Sequence, residues 1–415
     1  MVNDMRHLKT LFLSLILVLG AFPAMAQTTA AKPPLRYTVR GTVTDAYTGK
    51  ALPAVSITVA GKYYASVSNA DGDFVIKSDA PVSKLLFTCV GYKTLVLPVS
   101  GEHVSAAMVP DKYTLDASVL VSGDPVEIVN SAIVKIPENY SGAPELLRCF
   151  YRETLQKKNR YISVSEAVER IYKSSYAWSS NSDRAALEKS RIIMSQRKKD
   201  TLSVKLMGGP THAATADVVK NRDMLFEDIK AGLYAFEMGL PEYIDDRLQF
   251  VIHFRPNGDA EYALYYGTFY IDRDRLSFTR IELSMDMKDQ TKVIRQLLVK
   301  KPRGLRFYPK EMSFVMTYKL DGNVSRMEYF RSTIRFSCDW KKRLLATNYT
   351  VVNETVITDV LQPAEPISRQ EMFRSTDFLS DKAGEFLDPE FWKDYNIIEP
   401  TESLEHAVGR LHKTY

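Results

Sequence analysis

Short β-rich runs separated by turn clusters fill the stretch from Val39 to Gly91. The runs cover residues 41–45, 52–59, 74–76 and 85–87, and Gly, Pro, Asn or Asp residues stand between them. Runs this short at such close spacing are typical of a small all-β sandwich. The sandwich should cover residues 37–110. Its predicted core consists of Val43, Val55, Ile57, Val59, Phe74, Ile76, Leu86 and Phe87.

The same stretch resembles the carboxypeptidase regulatory-like domain, which is also described as transthyretin-like. The resemblance rests on residues 39–45, 49–57, 69–74 and 85–92. It implies a β-sandwich that assists folding and docking in exported proteins and catalyses nothing, despite its name. Residues 69–73 carry closely spaced oxygens, but an EF-hand loop needs glycine at its sixth position and glutamate at its twelfth. Because Gly72 comes too early, we expect a β-turn with Gly72 at positive φ.

Residues 1–26 have the pattern of a secretory signal peptide. Arg6 and Lys9 supply its charged part, residues 11–19 its apolar part, and Ala24 and Ala26 the small residues before a cleavage site at Gln27. The apolar run is too short to cross about 30 Å of hydrocarbon, and no later run is long enough. We therefore expect an exported protein, periplasmic or associated with the outer membrane. It should begin with a linker at 27–36 and have no transmembrane span.

The net charge is mildly basic and gives no sign of nucleic-acid binding. Cleavage at Gln27 leaves 53 Lys and Arg against 49 Asp and Glu, a net charge of +4, and these residues are spread along the chain. A nucleic-acid site would instead need a clustered basic face. Basic runs at 197–199, 300–303 and 341–343 fall at predicted turns between strands. We expect solvated loops there, with a lipid headgroup or anionic polymer contact as the alternative.

Three cysteines are an odd number for an exported chain. Cys89 lies in an apolar run and is expected to be a small buried hydrophobe. Cys149 and Cys338 could form a disulfide in an oxidising compartment, but the sequence does not give the distance between them. Whether they pair is left open.

A linker with an amphipathic helix is predicted at 111–140, and an antiparallel sheet at 141–362. Asp124 suits the N-cap of the helix and Pro125 its first turn, and we expect the helix to end before Pro137. In the sheet, long alternating strands follow one another from Phe250 to Phe336. This succession resembles the LolA/LolB-like half-barrel of lipoprotein and lipid carriers, most closely in residues 267–272 and 281–282.

The C-terminal segment, 363–415, ends in a predicted helix that Thr401 can cap. Its aromatic residues 386–395 either dock on a partner or cover the open side of the chain's own sheet. This stretch, together with residues 139–140 and 150–153, resembles a family of exported regulatory-like-domain proteins of uncharacterised function. The fold class predicted for the whole chain is mainly β. An N-terminal transthyretin-like β-sandwich is followed by a LolA-like antiparallel half-barrel (α+β) with flanking helices.

Catalytic and metal-binding motifs are missing from the sequence. No histidine is followed by Glu three residues later, as a zinc carboxypeptidase requires, and no Gly-x-Ser-x-Gly or phosphate-binding loop occurs. Asp245 with Asp246, and Asp272 with Asp274, are carboxylate pairs of a kind that glycosidases use, but turn residues are the alternative. The loop at 208–212 could hold His212 in a site or be a plain turn. We therefore predict no catalytic residue, no metal and no cofactor.

Three functions remain compatible with this sequence. The first is a non-enzymatic exported envelope protein that binds a lipid, lipoprotein or peptide, or another envelope protein, with the sandwich as an adaptor. The others are an envelope hydrolase acting on glycan or peptide, and a structural interaction protein without a small ligand. In the first case the concave side of the half-barrel should hold the ligand. Its predicted lining is Phe254, Tyr266, Phe269, Leu283, Met285, Phe314 and Met316, with Ile281 and Tyr318 as further candidates.

Overall fold

The computed structural model describes residues 34–111, 123–178, 183–200, 202, 204–340, 346–374, 377, 379, 384–385 and 391–412. The predicted signal at 1–26, most of the linker at 27–36, the start of the 111–140 linker and residues 386–390 lie outside these ranges. Within them the chain is mainly β, as predicted. Two small sheets form the N-terminal part, and a 12-stranded, almost wholly antiparallel sheet dominates the rest.

Seven strands form the N-terminal sandwich. They are β1 (Tyr37–Asp45), β2 (Ser56–Val59), β3 (Ala65–Val67), β4 (Asp73–Ser78), β5 (Lys84–Thr88), β6 (Leu95–Pro98) and β7 (His103–Met108). One sheet has the order β4-β1-β7, with β7 parallel to β1, and the other has the order β3-β2-β5-β6. Seven of the eight predicted core residues are at most 5% exposed: Val43, Val55, Ile57, Val59, Phe74, Ile76 and Phe87.

Leu86 is the core residue that the sequence places wrongly. It is half-buried and lies away from the sandwich core, whereas Leu85 and Phe87 on the same strand are fully buried. Successive residues of a strand face opposite sides, so either Leu86 or the pair Leu85 and Phe87 can face inward, but not both. The core of β5 is therefore Leu85 and Phe87.

The predicted turn at residues 69–73 is present. Gly72 has a φ of 82°, and Asn69 Oδ1 accepts hydrogen bonds from the backbone N–H groups of Asp71 and Asp73, both at 2.9 Å. A Cβ atom at Gly72 would lie 2.5 Å from the carbonyl oxygen of Val43. Both the turn and the close packing on β1 therefore require glycine.

Fourteen further strands follow. They are β8 (Glu145–Lys157), β9 (Arg160–Lys173), β10 (Arg184–Met194), β11 (Lys205–Leu206), β12 (Tyr234–Met238), β13 (Glu242–Ile244), β14 (Arg247–Pro256), β15 (Tyr265–Asp272), β16 (Phe278–Met285), β17 (Leu298–Lys300), β18 (Leu305–Asp321), β19 (Val324–Trp340), β20 (Thr347–Leu361) and β21 (Gly384–Glu385). The large sheet has the order β12-β14-β15-β16-β18-β19-β20-β8-β9-β10-β21, and β13 also pairs with β14. Strands β11 and β17 form a separate pair.

Six helices are described: α1 (Pro125–Val134), α2 (Ile136–Asn139), α3 (His212–Thr215), α4 (Phe226–Lys230), α5 (Gln290–Leu297) and α6 (Glu402–His412). Asp124 caps α1 as predicted, because its Oδ1 accepts a hydrogen bond from the Val126 N–H at 2.8 Å. Pro137 follows α1 and lies in the first turn of α2, where a missing N–H costs nothing. Thr401 caps α6 through a 3.2 Å hydrogen bond from the Leu404 N–H.

The two faces of the large sheet are covered differently. Residues of α1 to α5 pack on one face, called the inner face here, and share one hydrophobic core with strands β14 to β19. The sandwich and the C-terminal residues 391–412, called the tail, pack on the other, outer face. The tail therefore covers the chain's own sheet, one of the two uses that the sequence allows.

The tail lies between the sandwich and the sheet and is bonded to both. Trp392 packs against Phe150 on β8 and, with Ile398, belongs to the same cluster as Val67 of the sandwich. Asn396 exchanges two hydrogen bonds with the backbone of Lys77 on β4, at 2.6 and 3.0 Å. The tail thus forms one of the connections that hold the sandwich on the sheet.

Residues 35–415 form one compact unit, so independent folding of the sandwich stays a prediction. The three cysteines are free. Cys149 and Cys338 pair with Ile357 and Thr347 on the same strand, β20. Ten residues of strand separate these partners by about 33 Å, so the disulfide left open by the sequence does not form in this structure.

Candidate ligand-binding site

Six of the seven predicted lining residues lie together in the core of the inner face. Phe254, Phe269, Leu283, Met285, Phe314 and Met316 are each 3% exposed or less. Cross-strand pairing brings them together, since Leu283 on β16 stands opposite Phe314 on β18, and Phe269 on β15 opposite Ile281. The further candidates Ile281 and Tyr318 share this core at 0% and 4% exposure.

Tyr266 lies on the opposite, outer face and is 48% exposed. On β15, the inward-facing residues Tyr265 and Phe269 lie one and three positions away from Tyr266. Because side chains alternate along a strand, Tyr266 cannot share a surface with them. Its place in the predicted lining is therefore wrong for this fold.

The inner face is filled by the chain's own side chains. The ring of Phe226, on α4, stacks on Phe278 with centroids 5.2 Å apart, and Phe254 stacks on Phe269 at 4.4 Å. Helices α1 to α5 contribute further buried residues to the same core. Ligand binding at the six inward residues stays a prediction, since it would require helices to move off the sheet.

An open cavity lies instead between the sandwich and the outer face. This cavity, called the cleft, has a volume of about 380 Å³. The sandwich forms one wall and strands β16, β18 and β19 form the floor. The main lining residues are Ala54, Val67, Thr88, Cys89, Val90, Ile244, Thr279, Arg280, Glu282, Val315, Thr317, Glu328 and Arg331.

Strand pairing explains why the floor of the cleft carries both apolar and charged side chains. Glu282, Val315 and Arg331 stand opposite one another on β16, β18 and β19, and Arg280 and Thr317 form the next row. Their in-strand neighbours, such as Ile281 and Phe314, face the inner core. Alternation therefore brings polar and charged side chains to the outer face, where the sandwich partly covers them.

The floor of the cleft presents both signs of charge. Arg280 Nε donates to Glu282 Oε1 at 2.7 Å. Burial raises the pKa of nearby Glu242, and the negative charge of Glu282 raises it further. Burial also raises the pKa of the Cys89 thiol to about 11, so the thiol is neutral at physiological pH and a poor nucleophile.

A second cavity of about 380 Å³ lies beside the cleft, between the β2–β3 hairpin and the tip of the β18–β19 hairpin. The half-buried Leu86 lines it, which is where this side chain goes instead of the sandwich core. Glu328 lines both cavities and accepts a hydrogen bond from Ser56 Oγ. Lys319 Nζ lies 3.7 Å from Glu328 and donates to Thr58 Oγ1 at 3.2 Å. The two cavities thus share a polar contact between sandwich and sheet.

The carboxylate pairs considered for catalysis are turn residues. Asp245 and Asp246 both have positive φ, at 52° and 56°, and form the turn between β13 and β14. Asp272 is 1% exposed; its Oδ1 accepts hydrogen bonds from the backbone N–H groups of Asp274 and Arg275. Their geometry thus matches the alternative that the sequence allows, in which these acids form turns.

His212 lies at the start of α3, buried between aromatic rings. Burial lowers its pKa to about 4, so the ring is neutral at physiological pH. Its Nδ1 lies 3.5 Å from Ser332 Oγ, and its ring meets Phe314 and Phe330 edge-on. Because this side chain is only 7% exposed, a substrate has no access to it in this structure.

Charged groups are also buried on the inner face. Asp217 accepts hydrogen bonds from Lys173, Tyr176 and Tyr318, and these bonds stabilise its negative charge. Glu169 on β9 is 0% exposed, and neither of its carboxylate oxygens has a hydrogen-bond partner among the described residues. Burial raises the pKa of Glu169 well above its usual value.

The described residues also bear on two other kinds of site, metal sites and membrane spans. Among them, no three His, Cys, Asp or Glu side chains lie close enough together to hold a metal ion. In the same part of the chain, no helix is long and apolar enough to cross a membrane.

The residues of the cleft are those that sequence reasoning missed. In the sequence, the polar members of the alternating strands, such as Arg280, Glu282 and Arg331, have the pattern of a solvent-facing side of the sheet. One signal in the sequence could have indicated a site here. Many polar residues lie on a face that the C-terminal segment is one candidate to cover. Nothing in the sequence indicated that the sandwich covers the same face.

Comparison with solved structures finds similar proteins at low identity. A domain from Vibrio parahaemolyticus, described as outer membrane lipoprotein-sorting, is 11% identical, with 59% of this chain and 94% of that chain covered (TM-score 0.26). A DUF1329 family protein from Desulfovibrio piger is 10% identical, with 56% and 92% covered (TM-score 0.24). A LolA superfamily protein from Nitrosomonas europaea is 9% identical, with 58% and 98% covered (TM-score 0.21).

No curated protein matches this chain significantly. Residues 39–120 do match the family model of the CarboxypepD_reg-like domain. The N-terminal sandwich is therefore a carboxypeptidase regulatory-like domain, as its sequence predicts.

Proposed function

We propose that this protein is a non-enzymatic binding protein of the cell envelope, periplasmic or outer-membrane-associated, that holds a peptide segment in the cleft. The observation that carries the proposal is the cleft itself, an accessible cavity of about 380 Å³ lined by both apolar and charged or polar side chains. Ligand sites generally have volumes of about 300–1,000 Å³. The inner face, in contrast, is occupied by the chain's own side chains.

The chemistry of the cleft favours a peptide over an acyl chain. An acyl chain gains only from apolar surface, and it offers no hydrogen-bond partner to the polar groups of the floor, such as Arg280, Glu282 and Thr317. A peptide offers N–H donors, carbonyl acceptors and side chains of either charge. The paired Arg280 and Glu282 can each turn to such a group, while Val67 and Val315 contact its apolar side chains.

The sandwich would act as an adaptor because it forms one wall of the cleft. Its docking depends on the tail and on two contacts with the β13–β14 turn: Gly91 N–H to the Tyr243 carbonyl oxygen at 3.2 Å and Thr94 N–H to Asp246 Oδ1 at 3.1 Å. A ligand that touches both walls would therefore strengthen the docking. A hydrolase is less well supported, since the candidate acids form turns and His212 is buried.

Peptide capture with matched variants tests the proposal. The protein is incubated with a tryptic digest of envelope proteins, and the retained peptides are identified by mass spectrometry. Val315→Arg places a long charged side chain on the floor of the cleft. Val352→Arg makes the same change on β20, on the same outer face but away from the residues that line the two cavities.

Wild type and Val352→Arg should retain the same peptides, and Val315→Arg should lose them. Equal retention by both variants would place the site elsewhere and refute the cleft. If the folded wild type enriches no peptide, a structural interaction protein without a small ligand becomes the better conclusion. A lipid that co-purifies with wild type and with both variants would favour the inner face.

A further inference from the structure

One end of the large sheet collects basic segments that are far apart in the sequence. Strands β8, β10 and β19 end there, and β9, β18 and β20 begin there, because neighbouring strands are antiparallel. Residues 197–198 follow β10, and β17 leads into β18 through residues 301–304. Two of the three basic runs in the sequence therefore meet at this end, called the basic end here.

Exposed cations are dense on the basic end. Lys158, Arg197, Lys198, Lys205, Lys300, Lys301, Arg303, Arg306 and Lys310 are all exposed. Lys205 and Lys300 even stand opposite each other on β11 and β17, an arrangement of like charges that is unfavourable in an isolated sheet. Contacts connect the strands across this end, since Lys310 Nζ donates to Asn348 Oδ1 at 2.8 Å and the Lys158 N–H donates to the Asn348 carbonyl oxygen.

Two acidic groups at the basic end are buried and already paired. Asp200 is 4% exposed and accepts a 2.7 Å hydrogen bond from Arg160. Asp339 is 8% exposed and accepts two hydrogen bonds from Arg306, at 2.6 and 2.9 Å. Each of these two acids is therefore already engaged by a cation of the same end.

Large apolar side chains are exposed among these cations. Met207 is 55% and Val299 is 58% exposed, on or beside the β11–β17 pair, and Met194 and Tyr308 are 44% and 40% exposed. Met207 directly follows β11 and Val299 lies on its partner β17, and the Met207 N–H donates to the Leu297 carbonyl oxygen at 3.0 Å. Exposed apolar groups among basic residues are typical of surfaces that lie on a bilayer.

We propose that the basic end binds peripherally to an anionic lipid bilayer. Lysine and arginine near such a surface strengthen binding roughly fivefold each, and their effect falls off within a Debye length. Met207 and Val299 enter the headgroup region, which a soluble polyanion does not offer. The site is separate from the cleft, so the two proposals stand or fall independently.

Flotation with lipid vesicles tests this proposal on the chain without residues 1–26. Vesicles of phosphatidylcholine mixed with phosphatidylglycerol should carry the protein, and vesicles of phosphatidylcholine alone should not. The triple variant Lys300→Glu, Lys301→Glu, Arg303→Glu should lower the partition coefficient by about a hundredfold or more. The control Lys50→Glu, Lys84→Glu, Lys93→Glu makes the same change of net charge at exposed sandwich residues and should stay within about twofold of wild type.

Three outcomes would overturn the proposal, given a normal circular dichroism spectrum for each variant. The first is failure of the wild type to float with anionic vesicles. The second is an equal loss for both triple variants, which would reflect net charge alone. The third concerns Met207→Ser with Val299→Ser, which should weaken vesicle binding and leave heparin binding unchanged. If that variant binds vesicles like wild type, the surface recognises a polyanion and not a membrane.

Discussion

Removing the Trp392 side chain tests whether the tail holds the molecule together. Trp392 is 4% exposed, and its ring meets Phe150 edge-on with centroids 5.6 Å apart. Its Nε1–H donates to Glu166 Oε2 at 2.9 Å, and the guanidinium of Arg191 lies 5.0 Å from the ring centroid. The Trp392→Ala variant removes all of these contacts at once and leaves a cavity between sandwich and sheet.

The expected loss of stability follows from this environment. A buried tryptophan covers about 150–250 Å², and at about 25 cal/mol per Å² this is worth about 4–6 kcal/mol. Buried Trp→Ala changes typically cost about 3–5 kcal/mol. Glu166 keeps its ion pairs with Arg152 and Arg191, so the lost Trp392 hydrogen bond adds little. We expect a loss of about 4 kcal/mol.

Urea unfolding followed by far-ultraviolet circular dichroism measures this loss as a shift of the midpoint at constant slope. Trp178→Ala is the matched control, because Trp178 is 73% exposed and should change the free energy of unfolding by less than about 0.5 kcal/mol. A loss below about 1 kcal/mol for Trp392→Ala would refute the role given to the tail. So would an equal loss for both variants.

Three further predictions follow from the fold and the chain's chemistry. Phe87→Ala should cost about 3–5 kcal/mol in urea unfolding, since Phe87 is 0% exposed; a cost under about 1 kcal/mol would contradict the sandwich core. Burial raises the folded-state pKa of Glu169. Its contribution to the free energy of unfolding is therefore fully present below the unfolded-state pKa and is lost as pH rises through the folded-state pKa. Glu169→Gln should therefore gain stability over wild type as pH rises above the unfolded-state pKa, until the folded-state pKa of Glu169 is passed, and a pH-independent difference would count against this. N-terminal sequencing of protein from the envelope should begin at Gln27, and an intact Met1 on cytoplasmic protein would contradict export.

Local patterns in the sequence predict much of the fold because they depend on near neighbours. The turn at Gly72, the N-caps Asp124 and Thr401 and the alternating strands are all set within a few residues of one another. Leu86 shows the limit of this approach, since two adjacent leucines leave the inward face of a strand undecided. The packing of the tail between sandwich and sheet joins residues more than 300 positions apart, and no local pattern encodes it.

The candidate site was harder to predict because it depends on which face is covered. Alternation correctly groups Phe269, Leu283 and Phe314, but it does not show whether helices fill the space above them. The cleft arises where the sandwich lies over the polar side of β16, β18 and β19. Its residues, such as Arg280 and Glu282, look like ordinary solvent-facing positions until that docking is known.

The position of the tail sets the order in which the molecule can be completed. Asn69 Nδ2 donates to the Glu399 carbonyl oxygen, and 330 residues separate the two partners. At about 5–20 residues per second, a ribosome needs about 20–60 s to synthesise that interval. The β13–β14 turn and the strands of the cleft floor are made within this interval, so the first domain meets the sheet before it meets the tail. A chain cut short before Phe391 therefore keeps the direct contacts of its leading domain with the sheet, such as Gly91 with Tyr243, and loses every contact that passes through the tail.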